Sequence, residues 1–303
     1  MVSCPSPPGA APAAMIDVVA DDGLVLAATR VAGGGPGLLL AHGFGQTRQA
    51  WSGSQRRLAA AGFASLAWDA RGHGGSGRNP ETRVYAGEQF VADVLAAAAA
   101  AARPGGQRPI LVGASMGGLT GMIAQARARP FSALVLVDIT PRWEPAGVAR
   151  ILDFMGAHPD GFGSWEDAAE RIAAYLPHRR ARKTPGQLAH LLVPRADGRL
   201  VWHWDPRLLS EFIPDTEGLQ DVLDDACHAL DVPVLLVSGG RSDLVTADTI
   251  AHFLELVPHA RHVQLPDATH MVAGDDNDAF TGALLDFLSD LSAVPTAASG
   301  DPR

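Results

Sequence analysis

Cysteine is almost missing from this 303-residue chain: Cys4 and Cys227 are the only two. They are too few for a disulfide framework and do not stand at metal-ligand spacing. Long apolar runs are missing too. The alanine tract Ala96 to Ala102 is short and has polar flanks, well below the ~18 residues a membrane span requires. Basic residues are outnumbered, 24 Lys and Arg against 33 Asp and Glu, giving a net charge of −9. That balance argues against general nucleic-acid binding, which needs a basic surface to neutralise phosphate. The N-terminus lacks the basic and apolar regions of a secretory signal. Met1 to Ala14, rich in Pro, Ala and Ser, reads as a disordered tail (1–14), with Met15 as an alternative start. A cytoplasmic, reducing setting and a small-molecule partner are expected, with no nucleic acid and no membrane, while oligomeric state stays open.

What is present is a globular composition, 47% hydrophobic and 19% charged, long enough for one large α/β domain with an inserted subdomain. Ile16 to Ala20 and Leu24 to Val31 flank Asp21-Asp22-Gly23, a hairpin signal. The apolar runs Leu38 to Ala41, Ala64 to Asp69, Ile110 to Val112 and Ala133 to Asp138 then alternate with helical stretches. The helices fall near 50–61, 85–103 and 119–128. Such alternation means βαβ units and a mainly parallel sheet with helices on both faces. It fails between Thr140 and Asp231, where Pro-punctuated amphipathic stretches suggest a helical insertion. Strand building resumes at Val232 to Gly240 and His262 to Leu265, and a last helix covers about 279–291. The expected organisation is therefore a core of 15–139 and 232–292, an insertion of 140–231 and a C-terminal tail of 293–303.

Chemistry enters at Gly113-Ala114-Ser115-Met116-Gly117, a Gly-x-Ser-x-Gly pattern between a buried-strand run and a helix-permissive one. A serine at so tight a turn needs small neighbours and has its hydroxyl pushed out above the sheet edge, so Ser115 is the candidate nucleophile. In an open parallel sheet, working groups gather at the carboxyl ends of strands. Ser115, Asp243 and His270 all lie just past separate strand runs, in the order nucleophile, acid, histidine. A serine hydroxyl needs a base, histidine suits that at neutral pH, and a carboxylate fixes the imidazole tautomer. Asp138 also ends a strand and is the alternative acid. The turn Gly239-Gly240-Arg241-Ser242 ahead of Asp243 favours the latter.

With these residues in view, the chain resembles the α/β-hydrolase superfamily over about 16–291, most of all its capped bacterial serine esterase, non-haem peroxidase-like and lactonase-like members. The resemblance rests on His42-Gly43-Phe44-Gly45, Asp69-Ala70-Arg71-Gly72-His73-Gly74-Gly75-Ser76, the serine turn, Gly239 to Asp243 and His270. Met271 to Asp275 resembles the segment after the catalytic histidine of relatives. The resemblance implies an α/β-hydrolase fold with a helical cap at 140–231 and no cofactor. It also implies a backbone oxyanion hole from the N–H groups of Phe44 and Met116, each worth a few kcal/mol in such sites. Hydrolysis of a small or medium carboxylic ester or lactone through an acyl-enzyme is the expected function. C–C bond hydrolysis, perhydrolysis or ligand binding without turnover are the alternatives.

His42, Asp69, Arg71 and His73 could suggest a metal, but loop-shaping hydrogen bonds are the expected role and no metal is expected. Within the cap, Val201-Trp202-His203-Trp204 alternates, which would turn both indoles to one side. Trp202 and Trp204, with Trp143, are candidates for the substrate pocket, and cap-to-core packing is the plainer reading for the rings. His178 to Lys183, a basic stretch in an acidic chain, reads as a solvated hinge or helix end.

Overall fold

The structure, a computed structural model, describes residues 13–103, 105–175, 184–212, 216–270 and 278–293. In chain order these form β1 (Ala13–Val19), β2 (Val25–Val31), β3 (Gly37–Ala41), α1 (Ser52–Ala60), β4 (Ala64–Trp68), α2 (Gly87–Ala101), β5 (Ile110–Ala114), α3 (Met116–Ala128) and β6 (Ala133–Val137). The insertion follows, as α4 (Pro145–Gly156), α5 (Trp165–Tyr175), α6 (Pro185–Leu188), β7 (Leu192–Pro194), β8 (Leu200–Trp202) and α7 (Arg207–Glu211). The chain then closes with α8 (Thr216–His228), β9 (Val234–Gly239), α9 (Ala247–Leu256), β10 (Arg261–Leu265) and α10 (Asp278–Ala293).

Eight strands make one sheet in the order β1-β2-β4-β3-β5-β6-β9-β10. The β1/β2 and β2/β4 pairs are antiparallel and all later pairs parallel. The hairpin between β1 and β2 turns at Gly23, whose φ of +83° suits glycine and strains other residues. The central strands are buried on both faces, as parallel strands covered by helices must be. Alternate residues serve different layers: Leu39, Leu111, Leu134 and Leu136 pack with α2, α3, α8 and α9, while Leu38, Leu40, Val112 and Val135 pack with α1 and α10.

Some expected boundaries shift. β1 begins at Ala13, so the expected tail loses Ala13 and Ala14 to the sheet edge, and α10 reaches Ala293. The region 140–231 is not all insertion. α8 lies in the flanking layer against α3, where the Cys227 Sγ stands 3.5 Å from the Met122 Sδ and Leu223 is fully buried. Nor is the insertion wholly helical, because β7 and β8 pair antiparallel within it. Three-residue strands carry too little alternation to be read from sequence. Phe162, Ala168, Ile172, Leu188, Leu192 and Leu200 form an apolar centre of the insertion's own. The basic stretch His178 to Lys183 lies outside the described residues.

The β5–α3 junction tolerates no side chain at Gly113: a Cβ there would meet the Gly118 N and Cα and the Gly117 O at 2.7 Å, all backbone. Gly113→Ala is expected to lower stability by roughly 1–3 kcal/mol through this overpacking. Gly282→Ala, in α10 with nothing near its added Cβ, should instead gain about 0.5–1 kcal/mol. Denaturant melts of both variants check the pair, and equal effects would contradict it.

Candidate active site

Ser115 occupies the turn between β5 and α3 with φ 45° and ψ −117°, a conformation that L residues rarely adopt. The turn is this tight because glycines flank it. A Cβ on Gly117 would meet the Ala41 O at 2.6 Å, so α3 leaves the strand at close quarters with β3. The Ser115 N–H donates to the Val137 O at 3.2 Å, which ties the serine to the end of β6, the neighbouring strand. Met116 begins α3 and is buried, so its N–H lies at the positive end of the helix.

Asp138 follows β6 directly. It too has positive φ, 49°, and is fully buried. Its Oδ1 accepts the Gly239 N–H at 2.7 Å, and its Oδ2 accepts the Ser242 hydroxyl at 2.5 Å and the His270 Nδ1–H at 2.9 Å. The imidazole thus meets the alternative acid of the sequence reading. Asp243, the favoured one, is turned the other way and forms an ion pair with Arg150 on α4. The reason is local packing. Gly147 of α4 lies so close that a Cβ on it would meet the Asp243 O at 2.2 Å, and the Glu144 N–H donates to the Leu244 O at 3.0 Å. With 243–244 pressed against the insertion, the turn after β9 offers Gly239 and Ser242 as donors to Asp138, and Asp138, not Asp243, meets His270.

His270 arrives on the loop after β10. The Arg241 N–H donates to the Ala268 O at 2.9 Å, and the absence of a Cβ on Gly239 admits the Ala268 and Thr269 carbonyls, which would otherwise stand 2.6 and 2.9 Å from it. The double glycine therefore serves to seat the histidine loop. Met271 to Asp275 lie outside the described residues.

The loop after β3 is held by its carbonyl oxygens. The Gly43 carbonyl accepts both the His42 Nδ1–H at 2.8 Å and the Gln46 N–H at 3.1 Å. Held by its oxygen, that peptide turns its other end, the Phe44 N–H, the opposite way. A Cβ on Gly43 would stand 3.2 Å from the Ser115 Cβ, so this loop passes directly beside the serine. Phe44 is half-buried, its ring edge-on to His73 (centroids 5.5 Å apart) and tilted against Trp204 (5.2 Å).

His42, His73 and His203 are all buried and all spent on the backbone. The His42 Nε2 accepts the Ala70 N–H at 3.0 Å. His73 donates from Nδ1 to the Arg71 O at 3.0 Å and accepts the Gly45 N–H at Nε2, 3.2 Å away. His203 accepts the Gly74 N–H at Nδ1, at 2.8 Å, and donates from Nε2 to the Gly45 O at 3.2 Å. Asp69, also buried, accepts the Arg48 N–H at 2.6 Å and the Gly75 N–H at 2.8 Å and pairs with the Arg48 guanidinium. Arg71 grips Asp93 through two contacts of 2.6 Å. Among the described residues no group of three or more His, Cys, Asp or Glu could hold a metal ion, and no helix is long and apolar enough to cross a membrane.

Of the three candidate pocket tryptophans, Trp143 packs within the core. Trp202 and Trp204 lie on the same side, stacked at 6.4 Å and 22°, and only Trp204 reaches Phe44. Sequence reasoning passed over Ser242, Arg150, Met155 and His203. Met155 stands against Gly45, where an added Cβ would meet its Cε at 2.2 Å. The usable signal for His203 was its place between two tryptophans in an alternating stretch.

A family model described as the alpha/beta hydrolase family matches residues 38–283. A 3-hydroxybutyrate-oligomer hydrolase of Cupriavidus necator is 32% identical over 218 residues, 67% of this chain and 71% of that one. A 2-(acetamidomethylene)succinate hydrolase of Mesorhizobium japonicum is 30% identical over 261 residues, 83% and 87% of the two chains. Among solved structures, an esterase of M. tuberculosis superposes with a TM-score of 0.71 at 26% identity, covering 95% of this chain and 94% of that one. The chain belongs to the alpha/beta hydrolase family. It is a hydrolytic enzyme of that fold, with relatives named as hydrolases and esterases.

Burial holds all three buried imidazoles below the ordinary histidine range, His73 well below it and His203 at about 4. Because the folded values are depressed, the unfolded chain takes up protons first. The stability tied to neutral rings is therefore complete above pH ~6.5 and erodes as pH falls towards the folded values. For His203 the displacement from 6.5 to about 4 corresponds to something on the order of 3 kcal/mol. Urea titrations at pH 7 and pH 4.5 should show a smaller acid loss in His203→Gln than in the parent, and parallel losses would refute the burial account.

Proposed function

We propose that the enzyme is a serine carboxylic-ester hydrolase that works through an acyl-enzyme, with Ser115 as nucleophile, His270 as base and then acid, and Asp138 as the orienting carboxylate. The observation that carries this reading is the buried Asp138 Oδ2 accepting the His270 Nδ1–H at 2.9 Å. With Nδ1 so engaged, Nε2 is the nitrogen left to take the serine proton, and the carboxylate stabilises the imidazolium that results. Ser115 attacks the carbonyl, and the oxyanion is held by the Phe44 and Met116 N–H groups. His270 then protonates the leaving alkoxide. Water, activated by the same imidazole, attacks the acyl carbon, and Ser115 leaves with its proton restored.

Small or medium esters, lactones included, are the substrate class. The names of the relatives, an oligomer hydrolase of a hydroxy acid and an esterase, support ester cleavage. The insertion would act as the cap, with Met155 and Trp204 forming its apolar face towards Gly45 and the Phe44 ring of the oxyanion loop.

The choice of acid makes this reading easy to test. On a short p-nitrophenyl ester, Ser115→Ala should lower kcat by roughly 10⁶-fold and Asp138→Asn by roughly 10⁴-fold, as loss of the nucleophile and of the orienting carboxylate do. Asp243→Asn should leave kcat within about threefold, because the carboxylate pairs with Arg150 at a solvent-accessible site, where an ion pair is worth little. Activity that survives loss of the Asp138 carboxylate but not of Asp243 would reverse the assignment.

A further inference from the structure

Gly45 follows the oxyanion donor Phe44 and has φ +72°, with no side chain to restrict it. Left alone, such a residue would let the loop wander. Instead both of its polar groups are gripped by imidazoles: the N–H by His73 Nε2 and the C=O by His203 Nε2, each at 3.2 Å. His73 belongs to the core loop after β4. His203 comes from the insertion, directly after β8.

The two demands on His203 fix its chemistry. It must accept from Gly74 at Nδ1 and donate to Gly45 at Nε2, which only the neutral Nε2–H tautomer satisfies. Burial, which holds its titration down at about 4, keeps that form in place. The segment around it is stitched to the core as well. Arg78 donates to the His203 O at 3.0 Å, the Asp205 N–H to the Gly72 O at 2.8 Å, and the Tyr85 hydroxyl to Asp205 Oδ2 at 2.9 Å. Between them Trp204 lies on the Phe44 ring. The hydrogen bonds of 203–205 to the core thus fall on the oxyanion loop or on the loop after β4 that braces it, while the His203 N–H stays tied to the insertion through the Leu191 O at 3.1 Å.

We propose that His203 is a positioning residue for the oxyanion hole, through which the seating of the insertion's β8 exit segment on the core sets the peptide that carries the Phe44 N–H. This rests on the hydrolase reading above. A chain without that segment in place would keep its triad but lose a fixed oxyanion donor. Substrate contacts that shift β8 would therefore act on kcat as well as on binding.

The test compares His203→Phe, which keeps a ring but loses both hydrogen bonds, with His203→Gln, whose amide offers one acceptor and one donor at similar separation. On the p-nitrophenyl ester, His203→Phe should lower kcat by roughly tenfold to a hundredfold, the scale of a misplaced catalytic group, with KM within about twofold. His203→Gln should recover most of that loss. In parallel, hydrogen exchange of the backbone amides in 43–46, measured without substrate, should be about tenfold faster in His203→Phe and near the parent rate in His203→Gln. Unchanged kcat in His203→Phe, or a loss that His203→Gln does not repair, would overturn the proposal. If the parent enzyme turned over no ester, the hydrolase reading would fall, and the exchange rates would still decide whether His203 holds the loop.

Discussion

One buried carboxylate holds the working end of the sheet together. Asp138 collects three donors from two stretches of chain: the Gly239 amide at the end of β9 with the Ser242 hydroxyl just beyond it, and the imidazole past β10. A fully buried carboxylate without such partners would be prohibitively costly, and with them it binds the ends of β6, β9 and β10 to one another. Its own backbone adopts a left-handed conformation to reach them. The neighbouring Ser115 does likewise, so two strained residues stand side by side at adjacent strand ends. Strain of this kind persists only where the surroundings over-determine it. Here they do, through the glycine contacts beneath the serine and the three hydrogen bonds on the aspartate.

Most of the architecture was legible because its signals are local. Runs such as Leu38 to Ala41 and Ala133 to Val137 are apolar without alternation, which marks strands covered on both faces, and Gly113 beside Ser115 is needed by contacts no more than five residues away, although Gly117 answers to Ala41 on β3. The choice between Asp243 and Asp138 was of another kind. Both follow a strand, and the better local turn belongs to Asp243. What sets them apart in the structure is contact across the sheet: His270 meets Asp138 through a hydrogen bond of 2.9 Å, while Asp243 pairs with Arg150 of the insertion. Neither fact has a signature in a single sequence. The same holds for α8, whose amphipathic pattern resembles that of the insertion helices until its packing on α3 is seen, and for His203, whose partners lie 129 and 158 positions away.

The loop after β3 shows how histidines can brace a backbone without carrying charge. His42, His73 and His203 each accept one backbone N–H and donate to one backbone carbonyl, so each acts as a rigid spacer between peptide groups. A charged imidazole could not do this, since both of its nitrogens would be donors. Burial enforces neutrality, and neutrality supplies the mixed donor and acceptor pair. The cluster is thus structural in its chemistry, and the loop it braces passes beside Ser115 at Gly43.

The insertion's private apolar centre, Phe162 with Ile172, Leu188 and Leu200, has an evolutionary corollary. Residues that settle the shape of the roof are packed mainly on each other, so they can be exchanged for other apolar sets while the sheet beneath keeps its thermodynamic footing. Drift of that sort is least free where the roof is sewn to the floor, as at the seam of 203–205. Descendants of this enzyme that take new substrates should differ most in the interior of the roof and least along that seam.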